Sequence, residues 1–382
     1  MSDFTEDLIR IKSYQVLGSL PNPFIFNDGT EVASPEDWKK RRSELYRLGV
    51  EIPYGKQPPA PEVFKVETLG IGSRTDSYRI RAGTGEYCVN FNMFILKPHD
   101  VKPPWPVVID GDRCWDYAFD KDFTHAFLDR GIAVVLFDRL ELVADFRDPG
   151  RSSPLYQAYP DLNFGALSGW AWGYSRCVDA LLQLDMARRD CIAFTGHSRG
   201  GKAALLAGAL DERAAFVNPN NSGCGGCGCY RIRAEGITED GEPKREESLE
   251  AIIDQFDYWF SPELREYYGR AEKMPFDSHY LKALVAPRVL IEGNAASDLW
   301  ANPVGSWQTA AAAEEVYKFL GVPENHYWYY RRGYHWHKVE DVTRLAKIMR
   351  ASLDGEKTDD VFYMTPFPKP DKIFHWRSPI TI

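Results

Sequence analysis

The sequence predicts an α/β fold: one domain over residues 1–382, built as a three-layer sandwich with a mostly parallel central sheet between helices. Three observations predict it. Residues 64–69, 76–81 and 87–96 alternate apolar and polar side chains, as antiparallel strands with one wet face do. Residues 105–109 and 131–137 are continuous apolar runs, which suit central parallel strands buried on both faces. From there, helical periodicity over 120–130, 168–186, 203–210, 306–320 and 340–353 alternates with short apolar stretches at 192–194, 214–217 and 288–292, the order of a parallel sheet wound through crossover helices.

Two regions stand outside that alternation. Residues 1–61 read as an irregular extension with one helix, which Ser34 caps, Glu36 and Asp37 open, and Trp38 to Leu48 continue. Residues 218–274 read as an insertion forming part of an active-site wall. It begins with a Gly/Asn/Cys loop at 219–228, on the carboxyl edge of the sheet where open α/β folds bind ligands. A charged, then aromatic stretch follows over 231–274, expected to be a helical lid or wall.

Composition narrows the function. A chain of 382 residues with 44% hydrophobic content can bury a sizeable core. A net charge of −9 argues against a nucleic-acid partner. The 11 Trp and 20 Tyr offer flat faces for sugars. Seven cysteines, an odd number without a pairing framework, do not make a disulfide scaffold. Cys224, Cys227 and Cys229 lack a second ligand pair at metal spacing, so neither metal nor cofactor is expected. No apolar leader core and no membrane-length apolar window occurs, so a monomer away from membranes is expected, secreted or periplasmic if a leader once preceded it and cytoplasmic otherwise.

The chemistry gathers at Cys191–Leu210. Gly196-His197-Ser198-Arg199-Gly200 fits G-x-S-x-G, the strand–turn–helix elbow that presents a nucleophilic serine in α/β-hydrolases. Serine needs a base, and the base an orienting acid. A late histidine follows a glycine turn at Gly333-Tyr334-His335-Trp336-His337; either His335 or His337 suits the role, with His335 favoured by its place directly after the turn. Asp298, in a loop after the 288–292 strand, completes the order Ser, Asp, His, with Glu292 as the competing acid. Arg199 can add a charged donor to an oxyanion beside the helix N-terminus. Lys202 lies one helical turn past Ser198. Local cations at the nucleophile of an acidic chain suit an anionic or hydroxyl-rich substrate.

The same residues carry a family resemblance. Ser198-Arg199-Gly200-Gly201-Lys202 behind Gly196 resembles the G-C-S-R-x-G-K motif of glucuronoyl esterases, carbohydrate esterase family fifteen. So do Gly169-Trp170-Ala171-Trp172-Gly173, Ser222-Gly223-Cys224 with Arg231, Trp259-Phe260, Pro275-Phe276-Asp277 and Asp298-Leu299-Trp300, in that order along the chain. The resemblance implies a serine esterase that cleaves esters of glucuronic or 4-O-methylglucuronic acid in plant or algal polysaccharides. By the same resemblance Arg199 completes the oxyanion hole, Lys202 contacts sugar hydroxyls and Trp300 lines the sugar site. Three departures go with it. Asn221 stands where fungal members carry the triad glutamate, so Asp298, the bacterial-type location, has to serve. His197 replaces the motif cysteine. Glu247 is the stand-in for a sugar-binding acid. Another carbohydrate esterase, for acetyl xylan or a uronate methyl ester, and a non-catalytic glycan-binding relative are the alternatives.

Overall fold

The computed structural model describes residues 11–237, 240–358, 362 and 371–379. Its centre is a nine-stranded sheet. In chain order the strands are β2 (Val63–Ile71), β3 (Thr75–Gly83), β4 (Cys88–Leu96), β5 (Trp105–Asp110), β6 (Ala133–Phe137), β7 (Ala187–His197), β8 (Phe216–Asn220), β11 (Val289–Ala295) and β12 (His326–Arg331), preceded by a separate β1 (Ile11–Val16). In space they run β12-β11-β8-β7-β5-β6-β4-β3-β2. The pairs β2–β3, β3–β4 and β4–β6 are antiparallel, and every pairing from β6 to β12 is parallel. Burial follows the residue pattern. Alternating β3 hides Tyr78, Ile80 and Ala82 while exposing Arg79 and Arg81; β5 and β6 are buried at every position.

Helices cover both faces. The longer ones are α1 (Pro35–Tyr46), α2 (Lys121–Leu128), α3 (Ala166–Gln183), α4 (Arg199–Leu210), α5 (Leu249–Phe256), α6 (Ser278–Val285), α7 (Pro303–Phe319) and α8 (Val339–Asp354). One core packs Trp170, Tyr174 and Val178 of α3 and Leu205 of α4 beneath the sheet. A second packs Phe123 and Phe127 of α2 against Leu345 and Met349 of α8. The chain leaves β6 and returns beyond β5 as β7, so strand order reverses at β5. Ligands of open α/β sheets bind outside the carboxyl ends at such a reversal.

The insertion differs from expectation. Its first part is not helical: β9 (Ile232–Ile237) and β10 (Pro243–Arg245) form a three-stranded sheet with β1. The cause is non-local. Val16 pairs with Ile232 and Tyr14 with Ala234, a partner that no window of sequence around either stretch contains. Helix resumes only at α5, where Ser248 Oγ accepts the Ala251 N–H. The extension at 1–61 likewise holds a strand, β1, besides the expected helix α1. Among the described residues no helix is long and apolar enough to cross a membrane, and no group of three or more His, Cys, Asp or Glu could hold a metal ion. All seven cysteines are free, and burial pushes the Cys224, Cys227 and Cys229 thiols up.

Candidate active site

The turn from β7 into α4 puts Ser198 at φ 54°, ψ −121°, a region that L-residues enter only under constraint. The constraint is visible. Ser198 N–H donates to the Asn220 carbonyl at 2.9 Å, and the Ser198 carbonyl accepts from Lys202 N–H at 3.0 Å. A Cβ on Gly196 would strike the Gly200 carbonyl, and one on Gly200 would enter the Asp112 carboxylate. Asp112 is fixed in turn: it accepts from His197 N–H at 2.9 Å and pairs with the fully buried Arg139. The glycines of the motif are therefore required by the close approach of the end of β7 to the first turn of α4 and by a buried ion pair.

The histidine arrives on the loop after β12. Arg331, 4% exposed, sends its Nε to both oxygens of Asp341 at 3.0 Å. Its other nitrogens donate to the carbonyls of Arg332, at 3.2 Å, Tyr334, at 3.4 Å, and Trp336, so the loop is hung on one guanidinium. The acid loop is tied to the same segment, with Ala296 N–H on the Arg331 carbonyl and Ser297 N–H on that of Gly333. Asp298 Oδ1 accepts from Ala301 N–H at 3.3 Å, which leaves Oδ2 facing inward.

From these supports one line of contacts results. His335 Nε2 lies 2.8 Å from Ser198 Oγ, and His335 Nδ1 lies 2.6 Å from Asp298 Oδ2. Asp298 is 3% exposed, so its charge is shielded from water while the serine and imidazole stay accessible. His337, the alternative base, reaches neither partner. Its ring nitrogens are buried without a hydrogen-bond partner among the described residues, and burial, with His197 and Arg331 nearby, holds its pKa well below the usual imidazole value. Glu292, the competing acid, sits deep in the core between Lys282 Nζ at 2.5 Å and His326 Nε2 at 2.7 Å. Burial opposes its ionisation, but those two partners outweigh it and lower its pKa. At Asn221, Oδ1 accepts from Ala295 N–H at 2.7 Å and braces the end of β11.

Around the serine, Arg199 pairs with Asp145 at 2.7 Å and lies over the Trp259 ring at 4.8 Å. Its Nε is buried without a partner among the described residues. Lys202 does not face solvent: Nζ is enclosed by Glu247 Oε2 at 2.7 Å and the Ser222 carbonyl at 2.5 Å, and both residues are 2% exposed. Burial raises the Glu247 pKa against the pull of Lys202. Trp300 is half-buried, with Lys244 over its ring at 5.8 Å and its carbonyl accepting from Glu247 N–H. Asp145 has no signal in the sequence because it acts on Arg199, 54 positions along the chain; Arg331 and Asp341 act on near neighbours of the histidine loop but sit in no motif.

This scaffold and this line of contacts define a class, the α/β-hydrolases that cleave carboxylic esters through serine. Comparison with known proteins narrows it. A family profile described as "Glucuronyl esterase, fungi" matches residues 80–321. A 4-O-methyl-glucuronoyl methylesterase of Schizophyllum commune is 33% identical over 81% of this chain and 75% of its own. A carbohydrate esterase family 15 glucuronoyl esterase from Caldicellulosiruptor kristjansonii superposes with TM-score 0.83 at 31% identity, over 96% of this chain and 98% of that one. The glucuronoyl esterase catalytic domain of Hypocrea jecorina gives 0.73 at 25% identity, over 91% and 92%. The chain belongs to the glucuronoyl esterase family, carbohydrate esterase family 15, and is a carboxylic ester hydrolase.

Proposed function

We propose that this chain hydrolyses the C6 ester of glucuronic or 4-O-methylglucuronic acid, borne on a plant polysaccharide, through an acyl-enzyme on Ser198. A structural relative from Sporotrichum thermophile, matched at 25% identity and TM-score 0.73, holds methyl 4-O-methyl-beta-D-glucopyranuronate, which supports the substrate class. The single observation that carries the reading is the continuous contact from Ser198 Oγ through the His335 ring to the buried Asp298.

In this mechanism His335 Nε2 takes the hydroxyl proton as Ser198 Oγ attacks the ester carbonyl. Asp298 keeps the proton of the other nitrogen in place and stabilises the imidazolium. The oxyanion forms next to the α4 N-terminus, where backbone N–H groups and Arg199 favour negative charge. His335 then protonates the departing alcohol. Water enters, gives its proton to Nε2 and attacks the acyl carbon; the proton returns to Ser198 as the uronic acid leaves. Trp300 is assigned to the sugar face of the site, and the Lys202–Glu247 pair to its floor.

The test is hydrolysis of methyl and benzyl glucuronate against acetylated xylan and an aryl acetate. Wild type is expected to prefer the glucuronates. Ser198→Ala and His335→Ala should abolish turnover, and Asp298→Asn should cost about 10⁴-fold in kcat, as loss of the orienting acid does elsewhere. A preference for acetyl esters, or turnover surviving in Ser198→Ala, defeats the reading.

A further inference from the structure

His197 and His337 take no part in the proton relay, yet they form one column of rings with the histidine that does. The His197 and His335 centroids are 4.8 Å apart with planes tilted by 44°; those of His197 and His337 are 5.2 Å apart and nearly parallel, at 11°. The column continues downward. His337 meets Tyr117 edge-on at 4.7 Å and Phe123 of α2 at 5.0 Å.

Each ring below the catalytic one is anchored. His197 is held at its backbone by Asp112 and at Nδ1 by Asn220 Oδ1, 2.7 Å away. Tyr117, bonded to Asp112 and 3.5 Å from Asp110, cannot swing aside. His337 packs against that wall with both nitrogens unpartnered among the described residues, so it acts by its faces and edges. Both lower imidazoles are neutral. Burial pushes His197 down to about 3 and His337 well below its usual value, so neither sets a cation against the imidazolium that forms during turnover.

By contrast, the catalytic ring needs a wall. The His335 side chain is 34% exposed, and its hydrogen bonds to Ser198 and Asp298 both lie in the ring plane, which leaves tilt about the axis between them uncontrolled. We propose that His197 and His337 are positioning residues: a neutral stacked pair that sets the plane of the His335 imidazole against Ser198 and couples the serine elbow to the histidine loop. The proposal rests on the catalytic reading above. It predicts a requirement for an aromatic ring at position 337 and none for its nitrogens, since a buried polar atom without a partner lowers stability and flat rings offset from one another attract.

The test compares His337→Phe, His337→Leu and His337→Ala on methyl 4-O-methylglucuronate. His337→Phe should keep kcat within about threefold, whereas Leu, which fills the space without a π face, and Ala should each lower kcat about tenfold or more. KM should stay within twofold, because substrate contacts are untouched. A second readout is independent of turnover: the proton resonance of the His335–Asp298 hydrogen bond should stay sharp in the Phe variant and broaden in Leu. If the Ala variant fails to fold, the Phe and Leu pair decides. Leu equal to Phe in both readouts overturns the stack, and so does Phe as damaging as Ala. Absence of Ser198-dependent turnover in wild type strikes the catalytic reading instead, while the resonance still tests the stack.

Discussion

Arg199 and Asp145 face one another across the mouth of the site, Nη1 to Oδ2 at 2.7 Å. The other oxygen of Asp145 accepts from Trp259 Nε1 at 2.8 Å and from the Tyr258 hydroxyl at 3.0 Å. The carboxylate is thereby fixed in orientation, and it fixes the guanidinium, whose far face rests on the Trp259 ring. In the proposed mechanism an arginine so held would meet the oxyanion without reorganisation, the condition under which such donors are most effective.

Asp145→Ala should therefore lower kcat about 10- to 100-fold on a glucuronate ester while KM changes little. Arg199→Ala should cost about 10²–10³-fold, the range for loss of one oxyanion donor. Arg199→Lys should not restore activity, since an ammonium lacks the planar fork that engages Asp145 and the oxyanion together. Steady-state kinetics checks all three, and an Asp145→Ala enzyme with undiminished kcat would show that Arg199 needs no anchor.

Gly200 offers a second prediction. Any Cβ there enters the carboxylate of Asp112, which already accepts the His197 N–H and pairs with buried Arg139. Gly200→Ala should destabilise the fold by about 1–3 kcal/mol, as overpacking does, and should depress kcat by moving the elbow. Gly150, with nothing within 4 Å of its would-be Cβ, is the control; Gly150→Ala should stay within about 0.5 kcal/mol in chemical denaturation.

Much of this arrangement was legible in the sequence. The serine elbow declares itself because its spacing is local: a strand, a cramped turn and a helix within twenty residues. Asp298 and His335 are legible because each follows a strand at the same sheet edge, so their meeting follows from topology. The β1–β9 pairing was not legible, since Val16 finds Ile232 across most of the chain. Nor was the burial of Lys202, which helical spacing alone puts at the mouth; the wall that carries Glu247 closes over it.

Buried imidazoles make the fold acid-sensitive, and the sign is fixed by linkage. His279, whose Nε2 lies 2.9 Å from the Pro21 carbonyl, is pushed down from 6.5 to about 4 by burial, and His197 to about 3. Unfolding lets both bind protons that the folded chain refuses, so their contribution to stability is full above pH 6.5 and is lost as pH falls toward those values. Each contributes a slope of about 1.4 kcal/mol per pH unit within its window. His279 lies away from the serine, so His279→Gln should leave kcat at pH 7 unchanged. It should also retain about 2 kcal/mol more stability than wild type on going from pH 7 to pH 5. Urea titrations at the two pH values measure that difference; parallel losses in both proteins would mean that His279 does not couple to folding.

Asp341 sits at the other end of the catalytic loop and separates stability from positioning. It is fully buried, accepts both Arg331 Nε contacts and the Tyr329 hydroxyl, and takes the Lys338 N–H at the start of α8. Asp341→Asn leaves the Arg331 charge buried, among the described residues, beside only the Glu340 carboxylate, 3.7 Å away and half exposed, and should cost about 3–5 kcal/mol, as broken buried pairs do. The double variant Arg331→Met with Asp341→Leu removes both charges, so stability should largely return. Activity should not return, because the Arg332, Tyr334 and Trp336 carbonyls have lost the donor on which the loop was hung. Denaturation and kcat measured on the single and double variants distinguish the two effects. Recovery of both together would reduce Arg331 to a packing residue, whereas recovery of stability alone assigns it the placement of His335.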